Sequence, residues 1–409
     1  MIGQSGGPTA AINATLAGII KGAREANMDH IYGMIHGING LIHNNYIDLS
    51  TIFIDDKDLD SLQYTPAMYL GSCRFQLPTY EEDSALYTTI FTTLDTLEIT
   101  DFYYIGGNDS MDTVMKLSAY AKHINSDIRF IGVPKTIDND LAGMDHTPGF
   151  GSAAKYVATS TLEIIHDSLI YEAPSVTIIE IMGRNAGWLT AAAGLARTPY
   201  NDAPDLIYLP EVPFNITNFL KDIHTVFQYK QQVIVAVSEG IKDASGHFLD
   251  DDSKYVKKDV FGHVLHSGTG KKLESIVYQE FHCKVRSIEL NVLQRCAMHI
   301  ASKTDIMESF QIGQEAVVAS LHGETGKVLG LQRISNEPYR CKCMTSDVTE
   351  VANIERKIPL DWIHPDKNNI TPTLHKYLLP LIQGEVALSY ENGIPSYTFN
   401  ECMIKKNDS

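Results

Sequence analysis

Cysteine is scarce in this sequence, and the few cysteines form no metal or disulfide pattern. The 409 residues include six cysteines, with no CxxC pair and one close pair, the "CKC" at 341–343. A secreted domain held by disulfides, or a structural zinc site, needs a denser and more regular spacing. We therefore expect reduced thiols in an intracellular protein.

Positive charge is also in short supply. Lysine and arginine total 33 against 50 aspartate and glutamate, which gives a formal net charge of −17 and a pI near 5.3. A surface of this charge repels a phosphate backbone or an anionic bilayer, so we expect no nucleic-acid partner and no membrane partner. A small anion can still bind where a few basic side chains converge.

Apolar runs of membrane-spanning length are missing as well. The segment "AAINATLAGII" (10–20) is similar to a signal-peptide core, but no basic residue precedes it and the first lysine is Lys21. No other apolar run approaches the length of a membrane span. These observations predict a soluble, cytoplasmic protein.

The chain does contain enough apolar residues for two packed cores. Hydrophobic residues make up 44% of it, and its length exceeds that of one typical domain. Segments with helical apolar spacing alternate with short apolar runs, at 102–105, 129–133, 175–181, 206–209 and 233–237. This alternation predicts an α/β fold with mainly parallel sheets covered by helices on both faces.

Two stretches depart from the alternation. So few residues precede the turn "SGGP" (5–8) that the first strand is predicted to be very short. Unpaired backbone groups there would leave Gly6 and Gly7 loosely held. Residues 240–284 are polar and irregular, and we interpret them as an insertion or extended loop.

Five turns lie where predicted strands end and helices begin, which is where ligands bind in open α/β sheets. Each turn alone is weak evidence, because a glycine pair is more often a tight bend and an Asp/Asn-rich turn often caps itself. Together they supply glycine turns, clustered carboxylates and basic side chains, the parts that phosphoryl transfer requires. The five are "SGGP" (5–8), "GGNDS" (106–110), "PKTIDND" (134–140), "MGRNAGW" (182–188) and "SEG" (238–240).

With "YLGSCRF" (69–75) and "VRSIELNVLQR" (285–295), this ordered series resembles the phosphofructokinase family over roughly three quarters of the chain. The resemblance implies two Rossmann-like three-layer domains. It divides the chain into a phosphoryl-donor domain (1–141), a sugar-phosphate domain (142–285) with the polar insertion near 240–284, and a C-terminal region (286–409) that returns to the first domain and carries an extension.

The activity implied by the resemblance is reversible, Mg²⁺-dependent phosphorylation of the 1-hydroxyl of fructose 6-phosphate, in glycolysis and gluconeogenesis. Asp138 would be the base that takes the hydroxyl proton, since a loose transition state needs little deprotonation before bond breaking. Thr136 and Asp140 would hold the sugar and the geometry around the base. Arg184 would bind the sugar and offset charge on the transferred group.

The resemblance implies further sugar-phosphate ligands. Met182 and Gly183 match the family's sugar-binding turn, and Glu239 would accept protons from sugar hydroxyls. Arg286 and Arg295 match two arginines that grip the 6-phosphate, a contact that suits the guanidinium fork. Because some of these arginines come from a neighbouring subunit in the family, a homo-oligomer, a dimer or tetramer, is implied.

The phosphoryl donor is predicted from Asp109 and Lys135, which stand where ATP-using members of the family have glycine. Asp109 would crowd and repel the α-phosphate of a nucleotide, whereas Lys135 would hold the phosphoryl groups of pyrophosphate. The resemblance adds Arg74 and the backbone of Gly6 and Gly7 to the donor site. The pattern therefore favours pyrophosphate over ATP.

Some positions depart from the family pattern. Asn108 replaces a carboxylate that helps to bind Mg²⁺, so the metal would be held by Asn108 and Asp109 or mainly by pyrophosphate and water. Ser175 and Val292 replace an arginine and a histidine of some members. The looser 6-phosphate site that results leaves room for sugar phosphates such as sedoheptulose 7-phosphate.

Other functions stay open at this point. An ATP-dependent 6-phosphofructokinase shares most of the same residues. A regulatory subunit that binds sugar phosphate without catalysis is disfavoured, because Asp138, Asp140 and Arg184 are all present. A lipid or dinucleotide kinase of the "GGDGT" type is disfavoured, because the last glycine of that motif is absent.

Overall fold

The computed structural model describes residues 1–249 and 268–404. The chain forms two compact units. The first unit contains Met1–Ser152, Arg295–Glu355 and the residues from Gly384 onward, and the second contains Ala153–Gln294 and Arg356–Gln383. Each unit carries one of the two larger sheets.

The strands are, in chain order, β1 (Ile2–Gln4), β2 (Tyr32–Met34), β3 (Tyr46–Asp48), β4 (Asp101–Gly106), β5 (Arg129–Pro134), β6 (Ser175–Ile181), β7 (Leu206–Tyr208), β8 (Gln232–Ser238), β9 (Lys284–Glu289), β10 (Lys327–Asn336), β11 (Tyr339–Asp347), β12 (Tyr390–Glu391) and β13 (Ile394–Pro395).

The α-helices are α1 (Ile12–Glu25), α2 (Gly37–Ile42), α3 (Asp56–Gln63), α4 (Ser84–Thr96), α5 (Asn108–Ile124), α6 (Phe150–Ser168), α7 (Trp188–Ala192), α8 (Ile216–Phe227), α9 (Thr269–Phe281), α10 (Lys303–Leu321), α11 (Pro372–Leu378) and α12 (Glu401–Ile404).

The first unit is built on a seven-stranded sheet in the order β11-β10-β5-β4-β1-β2-β3. Neighbouring strands are parallel except for the antiparallel pairs β2–β3 and β10–β11. Both faces of this sheet are buried, because Phe102 and Tyr104 of β4 pack into one apolar cluster while Tyr103 and Ile105 pack into another. The unit is therefore a three-layer arrangement, as an apolar run without polar alternation predicts.

The first strand is as short as the sequence predicts, but its backbone is not left unpaired. Ile2 pairs with Gly33 of β2 on one side and with Tyr103 of β4 on the other. The N–H of Ser5 then donates to the carbonyl of Ile105 at 3.0 Å. The expectation of loose support for the glycine turn is therefore wrong, because three residues suffice for a strand that is hydrogen-bonded on both edges.

Helix α1 leaves the first glycine turn and crosses α10 at close range. A Cβ atom on Gly18 would overlap the carbonyl oxygen of Phe310, and one on Gly313 would overlap the carbonyl oxygen of Thr15. Two glycines at the crossing thus let the helix backbones touch. This contact fixes the helix that follows Gly6 and Gly7.

The second unit is built on a four-stranded, all-parallel sheet in the order β7-β8-β6-β9. Alternate residues of β6 and β8, such as Val176 and Val235, pack against helices α8 and α9. Asn215 caps α8 by accepting a hydrogen bond from the N–H of Asn218 at 2.9 Å. The sheet confirms the predicted α/β class with mainly parallel strands.

The polar segment 240–284 is not a loop throughout, which corrects the prediction for its last part. Helix α9 occupies Thr269–Phe281, with Leu273 and Val277 buried against the sheet. Two apolar residues at i and i+4 are enough to dock a helix, but the surrounding "HSGTGKK" obscures that spacing. The part at 250–267 lies outside the described residues.

The compact units divide the chain at other points than the predicted domains do. The divisions fall after Ser152 and Gln294, and 356–383 belongs to the second unit. There the Arg356 guanidinium carbon lies 4.5 Å from the Trp188 ring centroid, and the Trp188 indole N–H donates to the Arg356 carbonyl at 3.4 Å. The domain division at 141 and 285 stays a prediction.

Among residues 1–249 and 268–404, no helix combines the length and the apolar content needed to cross a bilayer. All six cysteines lie in these ranges and carry free thiols. The cytoplasmic location stays a prediction of the sequence.

Candidate active site

The first glycine turn follows β1 and is held from two sides. Gly6 has φ +83°, which favours glycine, and the Ser72 hydroxyl donates to its carbonyl at 2.7 Å. A Cβ atom on Gly6 would lie 3.1 Å from Nζ of Lys135, and one on Gly7 would lie 3.5 Å from Nη1 of Arg295. The turn therefore presents bare backbone beside two cations, which is what an anion site needs.

The second turn follows β4 and begins helix α5. Gly107 is the N-cap, and Asp109 lies exposed in the first helical turn. The side-chain oxygen Oδ1 of Asn108 is buried and has no hydrogen-bond partner among the described residues. A buried acceptor without a donor fits a bound cation, because Mg²⁺ prefers oxygen ligands. Asn108 and Asp109 therefore fit the predicted metal position.

Lys135 comes directly after β5, and its side chain is only 4% exposed. Burial lowers the pKa of Lys135 to about 8, partly offset by the negative charges of Asp138, Asp140 and Asp109, while the charge of Arg295 lowers the pKa further. The amine is thus buried close to Gly6 with three carboxylates around it. A bound anion would raise the pKa of Lys135 again and so keep the amine protonated.

The loop "TIDND" is shaped by its own side chains. The Thr136 hydroxyl accepts the N–H of Asp138 at 3.0 Å and donates to Oδ2 of the same residue at 3.5 Å. Asn139 is fully buried with φ +54°, and its Oδ1 accepts the N–H of Thr147 at 3.1 Å. Asn139 was not singled out from the sequence, although asparagine is a residue that tolerates this left-handed backbone.

The two carboxylates of this loop lie close enough to interact. Burial raises the pKa of Asp138, and the neighbouring Lys135 charge opposes that rise. Burial also raises the pKa of Asp140, and the charge of Asp138 raises it further. Glu355, which pairs with Leu141 through an isolated β-bridge, adds to both rises. A carboxylate of raised pKa is a better proton acceptor, so the cluster suits a general base.

The candidate sugar turn follows β6 in the second unit. Gly183 has φ +138°, and a Cβ atom there would lie 2.5 Å from the carbonyl oxygen of Ala186. The N–H of Gly183 donates to Oε1 of Glu239 at 3.3 Å, and its carbonyl accepts the hydroxyl of Ser238 at 2.6 Å. The turns "MGR" and "SEG" are therefore joined by direct hydrogen bonds.

Two further residues that sequence reasoning missed hold the sugar turn. Gln294 accepts the N–H of Met182 at 3.2 Å. Glu211 accepts the N–H groups of Gly187 at 2.8 Å and Ile358 at 3.2 Å. No local signal marks Glu211, whereas Gln294 is part of the "VLQR" motif. Burial raises the pKa of Glu211, and these N–H groups oppose the rise.

The predicted arginines are distributed over both units. Arg184 lies with its guanidinium carbon 5.6 Å from the Phe248 ring centroid. Arg286 of β9 is half-exposed and pairs with Asp167 at 2.6 Å, whereas Arg295 belongs to the first unit, beside Gly7. Arg74 is exposed and lies two residues after Ser72, which holds Gly6.

The first unit thus joins a glycine turn, two cations and an acidic loop, and the second unit holds a rigid turn with an arginine and a carboxylate. A family model described as "Phosphofructokinase" matches residues 1–320, well over half of the chain. This chain belongs to the phosphofructokinase family. The resemblance inferred from the five turns is confirmed.

Two relatives of this phosphofructokinase match over nearly their whole length. A protein of Xanthomonas campestris pv. campestris (strain B100) named pyrophosphate–fructose 6-phosphate 1-phosphotransferase is 41% identical over 397 residues, covering 96% of this chain and 94% of the relative. A protein of Halomonas elongata (strain ATCC 33173 / DSM 2581 / NBRC 15536 / NCIMB 2198 / 1H9) with the same name is 37% identical, covering 96% and 93%.

A solved structure supports the fold. The crystal structure of a pyrophosphate-dependent phosphofructokinase from Nitrosospira multiformis superimposes with a TM-score of 0.87 at 36% identity, covering 97% of this chain and 95% of that one. The predicted α/β phosphofructokinase-like architecture is therefore confirmed.

Proposed function

We propose that this protein is a pyrophosphate-dependent 6-phosphofructokinase. It transfers a phosphoryl group from diphosphate to the 1-hydroxyl of fructose 6-phosphate, and the products are fructose 1,6-bisphosphate and phosphate. The observation that carries the donor assignment is the buried Lys135 amine beside Gly6, together with Asp109 in the first turn of α5. The names of the two relatives support the same reaction.

Asp138 is the base in this proposal. It accepts the proton of the 1-hydroxyl while that oxygen bonds to the terminal phosphorus, and the bridging oxygen leaves with the second phosphate. Thr136 supports this role because its hydroxyl donates to the Asp138 carboxylate and accepts the N–H of the same residue. Asp140 lies beside Asp138 and holds the geometry of the loop. The raised pKa of Asp138 supports proton acceptance.

Lys135 and Asp109 select the donor. Lys135, the turn Gly6–Gly7 and Arg74 bind the phosphoryl groups, and Asp109 disfavours the α-phosphate of a nucleotide by crowding and repulsion. Arg295 was predicted to grip the 6-phosphate. Its position beside Gly7 also suits a contact with the transferred phosphoryl group.

Mg²⁺ would be held by Asn108 and Asp109 together with donor oxygens. The unpartnered Oδ1 of Asn108 supports this assignment. The ion supplies positive charge that neutralises the phosphoryl oxygens. The protein's own part is to offer one buried amide oxygen and one exposed carboxylate in the first turn of α5.

On the acceptor side, Met182, Gly183 and Arg184 bind the sugar, Glu239 accepts hydroxyl protons, and Arg286 binds the 6-phosphate. The hydrogen bond from Gly183 to Glu239 supports a shared role of these turns. Arg286 and its neighbours lie at the surface, which fits the predicted homo-oligomer with shared arginines. Mass photometry should show a dimer or tetramer, and a fully active monomer would contradict the sharing.

The test is the initial rate of fructose 6-phosphate phosphorylation with Mg²⁺, with pyrophosphate and ATP compared at equal concentration. We expect turnover with pyrophosphate and little with ATP. Asp138→Asn, purified in parallel, controls for contaminating kinases because it removes the base and keeps the side-chain shape. A rate with ATP alone would refute the donor assignment, and equal rates for wild type and Asp138→Asn would refute the assignment of the reaction to this site.

A further inference from the structure

A hairpin in the second unit places a second cation beside the candidate sugar turn. Nζ of Lys242 lies 4.3 Å from the Phe248 ring centroid, and Cζ of Arg184 lies 5.6 Å from the same centroid. Both distances are within the range in which a cation is attracted to an aromatic ring. One ring thus carries the charged groups of Lys242 and Arg184.

Hydrogen bonds across the hairpin hold the segment that carries this ring. Lys242 and Phe248 form an antiparallel bridge, and the N–H of Leu249 donates to the carbonyl of Ile241 at 3.3 Å. The Asp243 carboxylate caps the turn by accepting the N–H groups of Ser245 at 2.8 Å and His247 at 3.1 Å. Oδ1 of Asp243 is therefore directed at the turn backbone, and among the described residues Asp243 forms no ion pair with Lys242.

The two cations are not neutralised within the described residues. No ion pair to Lys242 or Arg184 occurs among residues 1–249 and 268–404, whereas Lys230 and Arg286 of the same unit each pair with aspartate. Both side chains are partly buried. Two like charges held at one ring repel each other, and this repulsion is relieved when an anion lies between or beside them.

We infer that Lys242, Phe248 and Arg184 form an anion-binding element that takes a phosphate ester of the acceptor sugar. This inference rests on the proposed function, because Arg184 is placed in the sugar turn there. Phe248 is a positioning residue, since its ring lies within cation–π distance of both charged groups. Lys242 supplies a second charge for the 6-phosphate, for the 1-phosphate of the product, or for both.

The chemistry favours a phosphate monoester over a neutral sugar hydroxyl. A doubly charged phosphate gains from each of two cations, whereas a hydroxyl carries no charge and gains less from an ammonium group. The Lys242 ammonium group itself lies at the ring. Methionine is an unbranched side chain of similar length, so Lys242→Met removes the charge and keeps an apolar stem at this position.

The experiment is titration calorimetry without any phosphoryl donor. Fructose 6-phosphate and fructose 1,6-bisphosphate are titrated into the full-length wild type, Lys242→Met, Phe248→Leu and, as a matched control, Lys221→Met, which removes an exposed lysine of α8 in the same unit. We expect Lys242→Met to weaken binding about tenfold, the loss typical of one charged hydrogen bond, and to flatten its salt dependence. Lys221→Met should bind as the wild type does.

The two ligands separate the two phosphate positions. A loss for the bisphosphate alone assigns Lys242 to the 1-phosphate, and an equal loss for both ligands assigns it to the 6-phosphate. Phe248→Leu should weaken both ligands without changing the KM for pyrophosphate. Binding of both ligands to Lys242→Met within twofold of wild type overturns the inference. The wild-type rate with pyrophosphate, measured separately, shows whether the proposed function itself has failed.

Discussion

The buried amine of Lys135 should make the substrate-free protein more stable as the pH rises above neutrality. The perturbation is a pH change from 7.5 to 9.5, applied to the wild type and to Lys135→Met. The folded-state pKa of Lys135 is lowered to about 8 by burial, against an ordinary value of 10.5. Between these values the unfolded chain holds the proton that the folded protein has released, so stability rises with pH in that window.

The size of the effect follows from the two pKa values. Burial of the Lys135 amine lowers the free energy of unfolding by about 3 kcal/mol at pH 7.5, and this cost shrinks by about 2 kcal/mol by pH 9.5. The wild type should therefore gain about 2 kcal/mol over this range relative to Lys135→Met. Loss of Lys135 also raises the pKa of Asp138, because the lysine charge opposes protonation of that carboxylate.

The assay is urea denaturation followed by circular dichroism at both pH values, for both proteins, without phosphate or pyrophosphate. The cysteine thiols are shared by the two proteins, so their contributions cancel in the comparison. If the free energy of unfolding changes by the same amount between pH 7.5 and pH 9.5 in the wild type and in Lys135→Met, the lowered pKa of Lys135 is refuted. Added pyrophosphate should abolish the alkaline gain of the wild type, because the bound anion holds the lysine in its charged form.

Three further predictions follow from single contacts. Asp138→Asn should lower kcat by about 10²–10⁴-fold with sugar binding by calorimetry nearly unchanged, and near-normal turnover would remove Asp138 from the base role. Glu211→Ala should raise the KM for fructose 6-phosphate and lower the free energy of unfolding by about 1–3 kcal/mol, because the Gly187 N–H loses its acceptor. Glu211→Gln should restore most of the KM and most of the stability. Equal behaviour of the two variants would contradict this. Gly313→Ala should destabilise the protein by about 1–3 kcal/mol in denaturation, since its Cβ meets the carbonyl of Thr15; an unchanged midpoint would show that the helices can separate freely.

Short apolar runs in the sequence were sufficient to predict several strands of the two larger sheets. The runs at 102–105, 129–133, 175–181 and 233–237 became buried strands within a residue or so of their predicted bounds. Buried parallel strands are continuous apolar segments, and glycine turns follow them because the chain must enter a helix at once. The order of the turns also identified the family, since each motif reflects a local backbone requirement.

The supporting contacts of the site could not be predicted in this way. Glu211 and Gln294 accept hydrogen bonds from the turn at 182–187, and the bonded residues are 24 and 112 positions apart in the chain. Phe248 lies beside Arg184 of the same turn. A single glutamate, glutamine or phenylalanine has no spacing that distinguishes it from a surface or core residue. Helix α9 was missed for a similar reason, because two apolar positions become a docking face only beside the sheet.

The sequence by itself therefore determined the fold class, the family and the chemical types of the site residues, because strand burial, turn conformation and phosphate chemistry are set by a few adjacent side chains. Only the tertiary structure decided the pKa of Lys135, the hydrogen bonds that hold the sugar turn and the meeting of Lys242 with Arg184 on one ring. Burial and charge interaction depend on distance in space, and residues far apart in the chain set that distance only when the chain folds.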